Sequence, residues 1–528
     1  MREALTFLAG LLVAALLAAL LGPGFVDWRE YRGHFEQRIG AALGLETRIA
    51  GDIGLRLLPS PRLTLRAVKL GAADGESSAA TIEHLTVELA LAALARGDFR
   101  LTEAEADGMA LTLIGDADGA VSMPPRHGTG LPAATAIDRF AIRRSAIIWR
   151  EAGKPAKVLA PISVDLAAAG LGGPWRIEGE VAGASLRFAT GEAEADGRLR
   201  AKIFVTGEQN QLSFDGALSL PMAGGRLQPS LHGAFTLTPG GALSLSGTVG
   251  GGARQLDFSG LAIEIAGGAA RLEGEGHVLP ATGSGGFQLR ARRLDADALI
   301  EALDQRPGFE RALQALPGAL DLSLDLGQIA WRGEDLSGFS LRGRLDQSGV
   351  SGARAGLRIA NATLQASGDL GEAGFRGELS LKAPDARRAA LALARLGVEP
   401  ALADGFAAFR EFEGAATLDW RSGQLGVERL SVKTGSGQRL EGSAAVTPGK
   451  LEAKLRLDGL DLANLPPGES LTGLAGGRDL ALDLTLGGVR YRATAPGSAR
   501  LALTRQGSDW RLSRLSVEGF GGVRVEGQ

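Results

Sequence analysis

Leu43-Gly-Leu-Glu-Thr-Arg-Ile-Ala-Gly-Asp-Ile-Gly-Leu-Arg-Leu-Leu-Pro-Ser-Pro-Arg-Leu-Thr-Leu-Arg-Ala-Val-Lys-Leu-Gly71 reads as a β-meander. Thr47 to Ala50 makes one short strand, and Gly51-Asp52 supplies a turn. Ile53, Leu55 and Leu57 alternate along a second strand, with glycine or arginine between them. Pro59-Ser60-Pro61 breaks that run, because proline fixes φ and cannot donate to a ladder. Leu63, Leu65, Val68 and Leu70 build a third strand. Just upstream, Tyr31, Phe35, Ile39 and Leu43 recur every fourth residue, so they share one stripe of a core-facing helix.

The same alternation governs the body from about Ile137 onward. Leu320, Leu322, Leu324 and Leu326 alternate with Asp321, Ser323 and Asp325. Leu451, Leu455 and Leu457, with Ala453 among them, form a second ladder, and Leu480, Leu482, Leu484 and Leu486 a third. A period of two puts each apolar set on one face of a strand and each polar set on the other. The expected fold is mainly β with a few helices: an elongated, twisted antiparallel sheet or groove with helical insertions near 294–316 and 384–411. Leu460 to Pro467 reads as a shorter copy of these insertions. The 78 glycines in 528 residues are expected at turns and bulges, where φ turns positive.

Ala4 to Leu21 is uncharged and apolar, and at ~1.5 Å per residue a helix of that length spans about 27 Å, close to a bilayer core. Ala4, Leu5, Phe7, Leu8, Leu11, Leu12, Val13, Leu16, Leu17, Leu20 and Leu21 are its candidate anchor residues. A cleaved signal peptide is the rival reading; the length of the run and the lack of an A-x-A site favour an uncleaved anchor. Arg29, Arg32 and Arg38 follow the span, against Arg2 before it, which taken literally keeps the body cytoplasmic. A first helix behind so short a tail commonly acts as a signal anchor, so the body is expected outside the cytoplasm. Trp28 is expected in the interface belt.

The order of features resembles the N-terminal region of the AsmA family, the TamB-related, membrane-anchored envelope proteins of Gram-negative bacteria. An anchor and a short helix are followed by Gly44, Gly51, Pro59 and the ending Val68, Leu70, Gly71. Ile82 to Leu91, a helical turn ending at Arg96-Gly97, Phe99 to Gly108, Ala110 to Ile114 and a turn at Gly119 continue the likeness to about residue 125. Where the family often has G-x-x-N-W, this chain has Val121-Ser122-Met123-Pro124. The domain reading is an anchor at 1–24, an AsmA-like helix and meander at 25–125, a linker at 126–136 and a repetitive β-rich body at 137–528. The chain stops in an alternating run from Trp510 to Gln528, so a continuation or a partner strand is expected.

Composition excludes several chemistries. With no cysteine there is no disulfide framework, thiolate site or cysteine nucleophile. Charges of 57 basic against 60 acidic residues leave −3, which gives no electrostatic footprint for nucleic acid. His34, His84, His127, His232 and His277 show no zinc spacing, and no P-loop or G-x-S-x-G elbow occurs. Asp321 with Asp325, and Asp479 with Asp483, are carboxylate pairs on strand faces and read as solvated surface. No catalytic residue, metal or cofactor is expected.

The resemblance implies a non-enzymatic inner-membrane protein with its bulk in the periplasm. Its role would be outer-membrane biogenesis, sheltering phospholipid in a hydrophobic β-groove for transfer between membranes, with outer-membrane assembly proteins as possible partners. The three leucine ladders are the candidate lining; a closed sandwich core is the competing place for them. The alternative function is a scaffold or chaperone-like protein that assists outer-membrane protein assembly without lipid.

Overall fold

The computed structural model describes residues 26–527 apart from 72–77, 95, 97–99, 117–118, 126–129, 152, 209, 240–242, 266–267, 305–317, 372–373, 398–409, 461–477, 491–495, 508 and 520–522. The anchor residues from Ala4 to Leu21 lie outside the described residues, as do His127 and the expected helical stretches 309–316, 401–409 and 461–467. Among the described residues, no helix is long and apolar enough to cross a membrane. The chain divides into two compact units, residues 1–261 with 277–282 and residues 262–276 with 283–528.

The first unit opens with helix α1 (Arg32–Leu43), β1 (Thr47–Ile49), β2 (Ile53–Arg56), β3 (Arg62–Leu70) and β4 (Ala79–Leu89). A short α2 (Leu91–Leu94), β5 (Arg100–Gly115), β6 (Val121–Ser122), β7 (Ala136–Glu151) and β8 (Lys157–Ala168) follow. Next come β9 (Trp175–Val181), β10 (Ala184–Ala193), β11 (Arg198–Thr206) and β12 (Asn210–Ser219). The series ends with β13 (Met222–Ala223), β14 (Arg226–Leu227), β15 (Ser230–Pro239) and β16 (Leu243–Gly252). The division between units runs through β17 (Leu256–Ile265) and β18 (Ala270–Leu279).

The meander forms as its alternation predicts, with β1 and β2 both pairing antiparallel with β3. Helix α1 stops at Gly44, whose φ of 70° is left-handed and suits glycine. Phe35 and Ile39 pack on a core of Ile49, Ile53, Leu65, Val68, Ile82 and Ala106. The two ends of the expected stripe differ: Tyr31 and Leu43 are exposed. Trp28, expected at a membrane interface, joins this core and lies 6.1 Å from the rings of Tyr31 and Phe35. An Arg29–Asp52 ion pair at 2.6 Å ties the segment before α1 to the first hairpin.

Two features of this unit were hidden in the sequence. First, β5 pairs parallel with β7 from Arg100↔Ala136 to Gly115↔Glu151, so the expected linker lies between two paired strands and its last residue, Ala136, already belongs to β7. Second, the tip of the β12–β15 hairpin returns to the AsmA-like segment: β14 pairs with β6, and Arg226 bonds Asp116 at 2.9 Å. Six pairings lead from β5 to β12 through β7–β11. At ~20–25° of twist per pairing the strand direction turns by about 120–150°, enough to carry the foot of β12 round toward the head of β5.

The second unit holds β19 (Ser284–Asp295), α3 (Ala296–Asp304), β20 (Leu320–Trp331), β21 (Glu334–Asp346), β22 (Gly349–Ile359) and β23 (Ala362–Gly371). Then come β24 (Gly374–Ala383), α4 (Ala386–Arg395), β25 (Phe412–Arg421), β26 (Gln424–Thr434) and β27 (Arg439–Val446). It closes with β28 (Lys450–Asp458), β29 (Asp479–Val489), β30 (Gly497–Gln506), β31 (Asp509–Gly519) and β32 (Val523–Gly527). The protein is thus mainly β with a few helices, as read from sequence.

The strictly antiparallel expectation needs correction. β19–β20 and β28–β29 are parallel, like β5–β7. A parallel pair requires a crossover of a dozen residues or more, and the connections 116–135, 296–319 and 459–478 provide it. The connection 384–411 carries α4 yet joins an antiparallel pair, β24–β25. The glycine expectation also needs amending, because Gly216 faces Gly233 and Gly368 faces Gly377 in mid-strand. Gly368 has a φ of +152°, and a Cβ there would come within 2.1 Å of the Arg376 carbonyl oxygen. Such strand glycines, with bulges between β21 and β23, let the sheet bend.

Candidate functional site

The site is built from register. Leu451 lies opposite Leu480, Ala453 opposite Leu482, Leu455 opposite Leu484 and Leu457 opposite Leu486, so two of the expected ladders sit side by side on one face. On the outer side of β29, Leu482 faces Leu503 and Leu484 faces Leu501; these in turn face Leu512 and Leu515 on β31. On the outer side of β28, Leu457 faces Leu440 and Leu451 faces Val446.

The third ladder belongs to the same face. From Leu324 a single row runs through Leu341, Ala355, Ala366, Leu379, Ala416, Leu430, Gly442, Leu455, Leu484, Leu501 and Leu515, each residue the register partner of the one before. Eleven steps at ~4.8 Å make an apolar row about 53 Å long across the strands. A second row follows one end of the strands: Leu345, Val350, Leu370, Phe375, Trp420, Leu425, Val446, Leu451, Leu480, Arg505 and Trp510. Leu370, Trp420 and Trp510 on this rim are roughly half exposed, at 48%, 51% and 47%.

Coverage of the face is uneven. Near β19–β24 it is sealed: Leu326, Ile329, Leu336 and Ile359 pack with Ala392 and Leu396 of α4. Ala386 and Ala389 close a neighbouring cluster with Ala383, Phe412 and Val432. Alanine on the inner side of α4 lets the helix approach the sheet closely, while Leu391 points outward. Arg332, at the β20–β21 turn, holds both helices. Its backbone N–H donates to Asp297 of α3 at 2.7 Å, and its guanidinium donates to the Leu396 carbonyl at the end of α4 at 2.8 Å.

Along β27–β31 the ladders are only half buried. Leu451, Leu455, Leu457, Leu482, Leu484 and Leu486 are neither buried nor fully exposed, whereas Leu480 is buried at 9%. The opposite face is charged and wet: Lys454, Arg456 and Asp483 are exposed. Lys450 and Glu452 there share an ion pair at 2.5 Å; their hydrogen bond raises the lysine pKa and lowers that of the glutamate. The candidate lining therefore separates. Leu326, with Leu324 packed against it, belongs to a sealed core, Leu320 and Leu322 are half buried, and among the described residues no helix packs on the ladders at 451–457 and 480–486.

The remaining candidates stay apart. Asp321 and Asp325 are exposed on the polar face, with Arg344 and Arg290 as register partners. Asp479 accepts a backbone N–H from Gly507, and Asp483 pairs in register with Lys454. His34, His84, His232 and His277 are exposed, and among the described residues no group of three or more metal-ligating side chains occurs. One pair of residues escaped the sequence reading: Arg478 and Arg505, at the rim of the leucine face. The signal was present in Leu501-Ala-Leu503-Thr-Arg505, where the period of two puts an arginine on the apolar side.

The AsmA family model matches residues 1–127. No curated protein matches the chain. Among solved structures, the crystal structure of a sex pheromone staph-cAM373 precursor shares 7% identity over 47% of this chain and 77% of its own. Its TM-score is 0.10, so it carries no argument. The family likeness read from Gly44, Gly51, Pro59 and Val68 to Gly71 thus stands: residues 1–127, a range that takes in α1 and β1 to β6, match the AsmA family.

Proposed function

We propose that this chain serves cell-envelope assembly as a membrane-anchored periplasmic protein that shelters phospholipid acyl chains on its leucine face. The observation that carries the reading is the set of apolar rows across β20–β31, sealed by α4 at one part and only partly buried, among the described residues, at the other. Exposing a ~16-carbon chain to water costs about 12 kcal/mol at ~0.8 kcal/mol per CH₂. From Leu480 to Leu486 the ladder offers about 20 Å of apolar strand at ~3.3 Å per residue. The protein acts by binding and not by catalysis. The AsmA match and the apolar run from Ala4 to Leu21 support an inner-membrane anchor with the bulk of the chain in the periplasm.

Site-specific photocrosslinking in cells tests the proposal on the full chain. A benzophenone amino acid at Leu484 should yield phospholipid adducts by mass spectrometry, and one at Lys454, on the opposite face, should not. Equal adducts at both positions, or none at Leu484, would remove the lipid reading and leave the protein-assembly scaffold.

A further inference from the structure

Arg505 is misplaced by the rules that order the rest of β30. Its register partners are Leu480 and Trp510, so it stands in the rim row of the apolar face, on the same side as Leu501 and Leu503. One terminal nitrogen of its guanidinium donates to the backbone carbonyl of Arg478, and the group lies 5.5 Å from the centre of the Trp510 ring. The Nε atoms of both Arg505 and Arg478 are buried and have no hydrogen-bond partner. The adjacent Asp479 carboxylate is engaged by the backbone N–H of Gly507.

Two arginines that adjoin through this bond, each with a buried Nε that lacks a partner, are expensive. Arginine stays charged at any relevant pH, and a partly buried charge needs a counter-charge and filled hydrogen bonds. Donation to one carbonyl and stacking on one ring leave the two buried Nε–H donors of the pair without a partner. A phosphate-type oxyanion supplies both the charge and several acceptors in a geometry that suits guanidinium forks.

We infer that Arg478 and Arg505 form a receptor for a phosphate-type oxyanion at the foot of the leucine ladders, with Trp510 as its lip. The inference builds on the lipid reading above, since the headgroup of an amphiphile would sit here while its chains lie along Leu482 and Leu484. A free phosphate ion offers the same oxygens, so the two sources are separated by experiment.

The test uses the full chain in nonionic detergent and reads Trp510 emission as the difference between the wild-type and W510F proteins. Dihexanoyl phosphatidic acid, dihexanoylglycerol and inorganic phosphate are titrated in turn. The phosphatidic acid should bind at least tenfold more tightly than the glyceride. In the R478Q/R505Q protein that ratio should fall to near one with glyceride binding unchanged, while R500Q, an exposed arginine on the same strand, leaves the ratio intact. Inorganic phosphate binding as tightly as the lipid, and lost in R478Q/R505Q, would support the receptor with the free ion as its source. If only inorganic phosphate responds, the leucine-face reading fails and the receptor stands. A ratio near one in wild type with no response to inorganic phosphate, or responses to phosphatidic acid and phosphate that R478Q/R505Q leaves unchanged, overturns the receptor.

Discussion

Two stretches of the second unit share one construction and differ in what covers it. Around β20–β23 the apolar face lies beneath α4, and Leu336 is reduced to 2% exposure. Around β28–β30 the same alternation of leucine with polar residues leaves Leu482, Leu484, Leu501 and Leu503 only half buried. Among the described residues the strands do not distinguish the two stretches; the helix does. α4 carries Ala386, Ala389, Ala390 and Ala392 on its inner side, and Arg332 secures its end. An apolar strand face is therefore a necessary part of a core, and it becomes one only when another element closes over it.

The contrast breaks most directly by truncating one leucine in each stretch. Leu336→Ala should cost about 2–5 kcal/mol, since it removes buried methyls and leaves a cavity. Leu484→Ala should cost only about 1 kcal/mol, because its side chain already meets solvent. Denaturant midpoints of the two variants check this, and equal losses would mean that the ladder face is closed after all.

A second variant probes the bend in the sheet. Gly368→Ala should destabilise by about 1–3 kcal/mol, because φ is +152° and the new Cβ meets the Arg376 carbonyl. Gly449→Ala, in a turn where a Cβ meets nothing within 4 Å, is the matched control and should change little on the same denaturation curve.

Arg332→Ala should weaken the cover more than the sheet. Losing the guanidinium bond to the Leu396 carbonyl removes about 1 kcal/mol. Hydrogen exchange should then quicken in Ala386–Arg395 while the amides of β28 and β29 keep their protection. Equal quickening in both would mean that the helix and the uncovered strands unfold together.

The smallest effect is electrostatic. Glu452, whose hydrogen bond to Lys450 lowers its pKa below the ordinary 4.5, favours the folded form above that value. The contribution fades as pH falls through the depressed folded value, so β28 protection factors, which are corrected for the intrinsic exchange rate, should be unchanged between about pH 8 and pH 6 and fall only in stronger acid. A change above pH 5, roughly half a unit over the ordinary value, would point to another group.

Much of this was legible in the chain. Thr47–Ile49, Ile53–Arg56 and Arg62–Leu70 fall where alternation, Gly51-Asp52 and Pro59-Ser60-Pro61 place them. The three ladders were read as strands with one apolar side each, and they are. The parallel pairing of β28 with β29 was not legible, because alternation within a strand fixes its apolar side and not the direction or register of its partner. Arg505 was overlooked because an isolated arginine among strand residues reads as surface until its register partners are known.

Sequence alone determined the class of structure, the side of each strand that is apolar, and the likeness of the first 127 residues to the AsmA family. These are local properties, set by a period of two and by turn chemistry within a few residues. Tertiary structure decided which ladders become neighbours, which lie beneath α4, and that Arg505 bonds the Arg478 carbonyl at the rim of the leucine face. Those outcomes depend on register and coverage between segments far apart in the chain, which alternation within one strand does not encode.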